Sequence, residues 1–264
     1  MAIDLTQTSV FYPGFEAAWG MEQFWFGSQS NDIEVGRKAA KIKGDAFGAR
    51  FTNSQTGMMD GSIKVKGVSA QDKGLINWQI DQWMGRRSAI NAWAALQGVA
   101  LGSPVLLSPV AIMDNSLTAK LADAVDFSLE LDARGALDSG TILLSPQNLL
   151  TGTSGTGPAD LNVGFGGVTT NGCVAHLHVM AIDGGTSPTV TVTISHGTDG
   201  VTYVPLITFA AQGVPAIGSP GSQRIKLSST ATVNPYVQAT WTTSGTPTAA
   251  QVMVGFSRGV NLNV

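Results

Sequence analysis

From Val125 to Asp132 apolar and polar residues alternate without a break, with Val125, Phe127, Leu129 and Leu131 against Asp126, Ser128, Glu130 and Asp132. Successive side chains of a strand point to opposite faces, so this period predicts a strand with one buried face and one wet, acidic face. Upstream, Ile33–Lys43 and Ile63–Gly67 are predicted strands, joined through a turn-rich stretch that includes Gly57 and Asp60-Gly61. Both fit an antiparallel sheet. The period then changes: Ser69 can cap a helix with Asp72 reaching back, and Ile76, Ile80, Trp83, Met84 and Arg87 follow at spacings of 4, 3, 1 and 3. One amphipathic helix is predicted there, with Ser88–Gln97 as a second helical piece. The second half reads as short strands at Ala175–Ala181, Val190–His196, Tyr203–Phe209, Arg224–Leu227, Tyr236–Thr242 and Gln251–Ser257. Turns rich in Gly, Pro, Asp, Ser and Thr separate them, the pattern of a small β-sandwich.

Charge divides the chain. Residues 1–150 hold 12 Lys/Arg and 15 Asp/Glu, and residues 151–264 hold 3 and 3. Between the two styles lies Thr151-Gly-Thr-Ser-Gly-Thr-Gly-Pro158, whose composition fits a flexible linker. The expected organisation is a first domain over 1–150, a linker over 151–163 and a second domain over 164–264. A net charge of −3 leaves no chain-wide cationic surface for neutralising phosphates, which argues against tight nucleic-acid binding. The uncharged stretch Ser88–Met113 is long enough for a membrane span. Gly98, Gly102, Pro104 and Pro109 interrupt it, so no membrane association is expected. Met1-Ala-Ile-Asp-Leu-Thr6 lacks a basic region followed by an apolar run, and no secretory signal is expected.

Phe11, Tyr12, Phe15, Trp19, Phe24, Trp25 and Phe26 place 7 of the 19 aromatic residues in one short segment. That density requires burial, either in the core of the same subunit or as an arm docked on a neighbouring one, where aromatics are enriched. These seven are the candidate subunit-interface residues.

Candidates for chemistry are sparse. His176 and His178 share one strand face, with Asp183, Asp199 and Cys173 as further potential ligands, but an i,i+2 pair on a strand reads first as a polar face. Gly255-Phe-Ser257-Arg-Gly259 matches a nucleophile-elbow pattern in letters only, since neither a helix nor an acid and a histidine follow it. Asp123, Asp126, Glu130 and Asp132 offer paired carboxylates, and alternating acids on a strand more often form a solvated surface than an acid and base flanking a sugar. The expectation is a non-enzymatic protein without cofactor or metal.

The order Gly57-Met-Met-Asp-Gly61, Ser62-Ile-Lys-Val-Lys-Gly67, a helix containing Leu75–Met84, Val125-Asp-Phe-Ser-Leu-Glu-Leu131, Gly135 and Ser139-Gly-Thr-Ile-Leu143 resembles the tail tube subunits of long-tailed bacteriophages. Ile194-Ser-His-Gly-Thr-Asp-Gly200 with Tyr203, Leu206 and Phe209, then Ser222-Gln-Arg-Ile225, Tyr236-Val-Gln-Ala239 and Val254-Gly-Phe-Ser-Arg258, resembles a β-sandwich module of phage tail proteins. The resemblance implies a mainly β chain: a tail-tube-like β-barrel or sandwich with one packed helix, followed by an Ig-like β-sandwich on the outside. It implies a virion structural protein, made in the host cytoplasm, that forms stacked hexameric rings with itself and with other tail proteins. Double-stranded DNA would pass through without specific binding, and Asp126, Glu130 and Asp132 are the candidate lumen-facing residues. The alternative is a decoration or minor tail protein that binds host-surface carbohydrate, with Tyr203, Tyr236 and Trp241 as stacking candidates.

Overall fold

The computed structural model describes residues 18–21, 24–25, 30–44, 53–69, 80, 83–84, 90–119, 125–135, 137–157, 167–216 and 221–259. The chain is mainly β. Along it run β1 (Ala18–Met21), β2 (Phe24–Trp25), β3 (Ser30–Gly44), β4 (Asn53–Ser69), β5 (Ile90–Ala95), β6 (Pro104–Ala119), β7 (Val125–Ala133) and β8 (Asp138–Leu144). There follow β9 (Ser154–Thr156), β10 (Cys173–Asp183), β11 (Thr189–Gly197), β12 (Val204–Thr208), β13 (Gln212–Gly213), β14 (Ser222–Lys226), β15 (Tyr236–Ser244) and β16 (Ala249–Arg258). All described pairings between these strands are antiparallel. Two compact units result, and they interleave along the sequence: one comprises Met1–Ser28, Asn91–Leu107 and Asp138–Val260, the other Gln29–Ile90, Ser108–Leu137 and Asn261–Val264.

The larger unit is a two-layer sandwich. In one layer β14, β10, β16 and β8 are successive neighbours; in the other β12, β11, β15 and β9 are, with β13 also on β11. Between the layers lie Ala175, Leu177 and Val179 of β10, Val252, Val254 and Phe256 of β16, Val190, Val192 and Ile194 of β11, and Val237 and Ala239 of β15. These positions fall at every second residue, as a half-buried strand requires. The opposite face of the first layer is buried as well, against Trp93, Ala95, Val99, Val105, Leu107 and Ile142. β10 therefore has no wet face, which explains its nearly unbroken apolar run.

The smaller unit holds the sheet β3-β4-β7 with the far part of β6 beside β7. Ile63 and Val65 lie opposite Leu131 and Leu129, and all four are buried. The alternation read from β7 is present: Phe127, Leu129 and Leu131 are buried, and Asp126, Ser128, Glu130 and Asp132 are not. Ile80 and Trp83 are helical and buried, and the Met84 N–H donates to the Ile80 carbonyl at 2.9 Å, one turn of the predicted helix. The rest of that helix lies outside the described residues.

The structure departs from the sequence reading in specific places. Ser88–Gln97 was expected to be helical, yet it contains strand β5, whose residues from Ala92 to Ala95 are all buried and pair with β1. Alanine is the best intrinsic helix former, but propensity is a weak bias that tertiary burial overrides, and its small side chain lets a strand covered on both faces approach its neighbours closely. Ser154–Thr156, inside the Gly/Ser/Thr run read as a linker, form β9 and pair with Thr240–Thr242 of β15. The units do not follow the boundary expected at 151–163, because β8 hydrogen-bonds to β16 near the end of the chain.

Candidate functional site

The outer face of the β3-β4-β7-β6 sheet carries the candidate lumen residues. Register places Glu34, Lys64, Glu130 and Asp114 in one row across the four strands, and Asp32, Lys66 and Ser128 in the next. Asp132 lies opposite Ser62 and Asp126 opposite Val68, on the same face. Sequence reasoning found Asp126, Glu130 and Asp132 but missed the residues of β3 and β6 that extend the face, because a single strand's alternation says nothing about its neighbours. It also missed Lys64, whose Nζ sits 2.8 Å from Glu130 Oε1. That pairing raises the lysine pKa, first through the hydrogen bond to Glu130 and then through its charge. The named residues of this face are six acids and two lysines, a formal charge of −4.

Of the aromatic arm, Phe11, Tyr12, Phe15 and Phe26 lie outside the described residues. The backbones of Trp19, Phe24 and Trp25 belong to β1 and β2, where Trp19 is opposite Ala94, Trp25 opposite Gly20 and Phe24 opposite Met21.

His176 and His178 are together on one face of β10, but that face is buried rather than polar and wet; both side chains are fully buried and their rings stack at 6.2 Å. Neither ring nitrogen of His176 has a hydrogen-bond partner. Its pKa is held well below the usual imidazole value, first by burial and then by the neighbouring His178 and Arg224. Beside them Arg224 Nη2 donates to the fully buried Asp138 at 3.0 Å. Among the described residues no group of three or more His, Cys, Asp and Glu is placed to hold a metal ion. Cys173 is buried, which pushes its thiol up to about 12, out of the nucleophilic range. The Ser257 hydroxyl is buried and donates to the Ser139 carbonyl at 2.6 Å, a structural bond between β16 and β8. His196 Nδ1 accepts the Asn234 N–H at 3.1 Å, so it too is neutral in this arrangement. Among the described residues no helix is long and apolar enough to cross a membrane.

The stacking candidates are committed to packing. Trp241 faces the sandwich core beside Val192, and a Cβ added at Gly155 on β9 would fall 2.1 Å from its Cζ2. Tyr236 lies on Gly200, where an added Cβ would meet the ring at 3.2 Å, and Tyr203 is half-buried. Gly155→Ala is accordingly expected to displace the Trp241 ring and cost about 1–3 kcal/mol, as overpacking does. A near-UV circular dichroism change accompanied by a lower urea midpoint would show it; an unchanged spectrum would mean that the ring does not rest on this glycine.

No protein-family model matches this chain, and no curated protein matches it. Solved structures similar to it include a chain in the virion of a native gene transfer agent particle, 11% identical over 49% of this chain and 98% of that one, with a TM-score of 0.39. The Dit protein of SPP1, from the hub adsorption apparatus of phages infecting Gram-positive bacteria, is 7% identical over 91% and 98%, with a TM-score of 0.33. A chain of the phage p2 baseplate in its activated conformation is 8% identical over 93% and 99%, with a TM-score of 0.35. These scores and identities are low, and nothing about the site rests on them.

Proposed function

We propose that this chain is a structural protein of a phage tail, and specifically a tail tube subunit whose stacked, six-membered rings conduct DNA. The observation that carries this reading is the β3-β4-β7-β6 sheet, with its one wet, acidic face and its edge at β3. Among the described residues β3 pairs with β4 alone, and on β6, which also neighbours β5, Met113, Asp114, Ser116, Leu117 and Thr118 are exposed. An edge left open invites strand addition by another chain. When the two surfaces that meet are different, the contact is head-to-tail and repeats until a ring closes. A ring closed this way would carry one face of every sheet inward. With the acidic face inward, the lumen repels phosphate and DNA slides without adhering. Asp126, Glu130 and Asp132 are then lumen residues, with Asp32, Glu34 and Asp114 beside them, and the aromatic arm from Phe11 to Phe26 docks on a neighbouring subunit. The chain would reside in the virion tail after assembly in the host cytoplasm, among other tail proteins.

Electron microscopy of the purified, concentrated protein, with its mass in solution, tests the reading. Stacked rings or hollow tubes support it, and a persistent monomer moves the assignment to a decoration or carbohydrate-binding module. Charge reversal at Asp126, Glu130 and Asp132 in assembled particles is expected to slow DNA ejection; unchanged ejection rates would remove these residues from the lumen.

A further inference from the structure

The sandwich holds a polar cluster that the tube reading does not use. β14 pairs with β10 from Val174↔Lys226 to His178↔Ser222, and among the described residues it has no other strand partner. Directly opposite positions in an antiparallel pair share a face, so His176 and Arg224 stand side by side, as do His178 and Ser222. Across the other neighbour, β16, the same face offers Gly255 and Met253, neither of which can take or share a proton. Among the described residues the charged and titratable groups facing His176 are therefore His178 on its own strand, Arg224 and, at the outer end, Lys226 on β14, and Asp138 of β8 through its ion pair with Arg224. One carboxylate already serves one guanidinium, while both nitrogens of His176 lack partners at zero exposure. A proton arriving on this ring meets a cation and no acceptor.

We propose that β14 is an acid-released latch: protonation of the buried His176 imidazole on β10 drives Arg224 and its strand away from the sheet. Side-chain ties hold the strand at neutral pH. Asn91 Nδ2 donates to Ser222 Oγ at 2.9 Å, Arg224 bonds Asp138, and Gln223 forms a two-way bond with the Ala210 backbone at 3.0 and 2.9 Å. The direction follows from linkage. A histidine whose pKa is lowered in the closed state binds its proton only in the open state, so closure is fully stable above the ordinary imidazole range and weakens as pH falls through it. Each imidazole that must be neutral for closure raises the open population about tenfold per pH unit below roughly 6.5.

Hydrogen exchange of residues 222–226, corrected for the intrinsic pH dependence and referred to residues 251–255 of β16, reads the latch directly. The wild-type protein is expected to lose protection on β14 by about tenfold between roughly pH 6 and 5, while His176→Leu keeps it. Protection on β14 that tracks β16 at every pH, or an equal loss in His176→Leu, would overturn the proposal. If that variant does not fold, titration of the His176 ring by NMR in the wild-type protein decides instead. A ring that protonates near roughly 6.5 with β14 still protected rules out the latch, and one that stays neutral until β14 exchanges supports it. The readout is taken on β14 and the reference on β16 because His196, which also accepts a bond as the neutral ring, would register on β11 and the 233–236 segment.

Discussion

Trp93→Ala is expected to lower the free energy of unfolding by about 3–5 kcal/mol, and Trp93→Phe by well under half as much. Trp93 is fully buried on β5, packed with Ala18, Ala95, Val99, Val105, Leu107, Ile142, Met180 and Met253. Most of these belong to hydrogen-bonded strands, so the walls of an emptied indole site are not free to collapse and the cavity cost is added to the lost transfer energy. The phenylalanine variant separates shape from polarity. Trp93 Nε1 is buried without a hydrogen-bond partner, and an unsatisfied donor costs about 1–3 kcal/mol, so removing the N–H offsets part of the lost area. Urea unfolding followed by far-UV circular dichroism gives both values by linear extrapolation. Equal losses for the two variants would show that the indole N–H does find a partner in solution.

How much of this was legible in the sequence depended on whether a strand had one wet face. β7 was legible because Asp126, Ser128, Glu130 and Asp132 mark its solvent side at every second position. β11 and β15 were legible for the same reason, with Thr191, Thr193, Thr240 and Thr242 outside and Val192, Ile194 and Ala239 inside. β5 was not: a strand buried on both faces has no period, and its alanines read as helix formers. The histidine pair failed in the opposite sense. Polar letters on β10 were read as a polar face, whereas the second face of this strand is covered by residues from β5, β6 and β8 that no local pattern announces. Long-range pairing also decided the units. The ladder between β8 and β16 joins residues more than a hundred positions apart, and composition changed at residue 151 without the sheet stopping there. The candidate acidic face was half legible: its strand was found, and the row from Glu34 through Lys64 to Asp114 required the register.

Replacing both Met113 and Leu117 with lysine is expected to abolish ring formation while leaving the subunit folded. Both lie on the far part of β6, where Met113 is the bulged residue between Ile112 and Asp114 and Leu117 stands opposite Phe127. They are 58% and 50% exposed, so the isolated subunit loses little by the exchange. In the proposed ring the same side chains leave water against the next subunit. Burying a large apolar side chain fully yields about 1.5–3 kcal/mol, and half-exposed residues supply about half of that each. About 1.5–3 kcal/mol per contact is then lost, before the cost of desolvating a lysine, and a contact weakened by 1.4 kcal/mol is about tenfold weaker. Because every subunit in a ring repeats the contact, the penalty is multiplied around the closed assembly and the concentration needed for assembly rises beyond reach. Sedimentation velocity and electron microscopy of wild-type and double-variant protein at matched concentration check this, with the urea midpoint as the folding control. A double variant that still forms rings would place the subunit contact away from this part of β6, whereas one that stays monomeric with a near-wild-type midpoint would mark these exposed side chains as part of the surface that closes the ring.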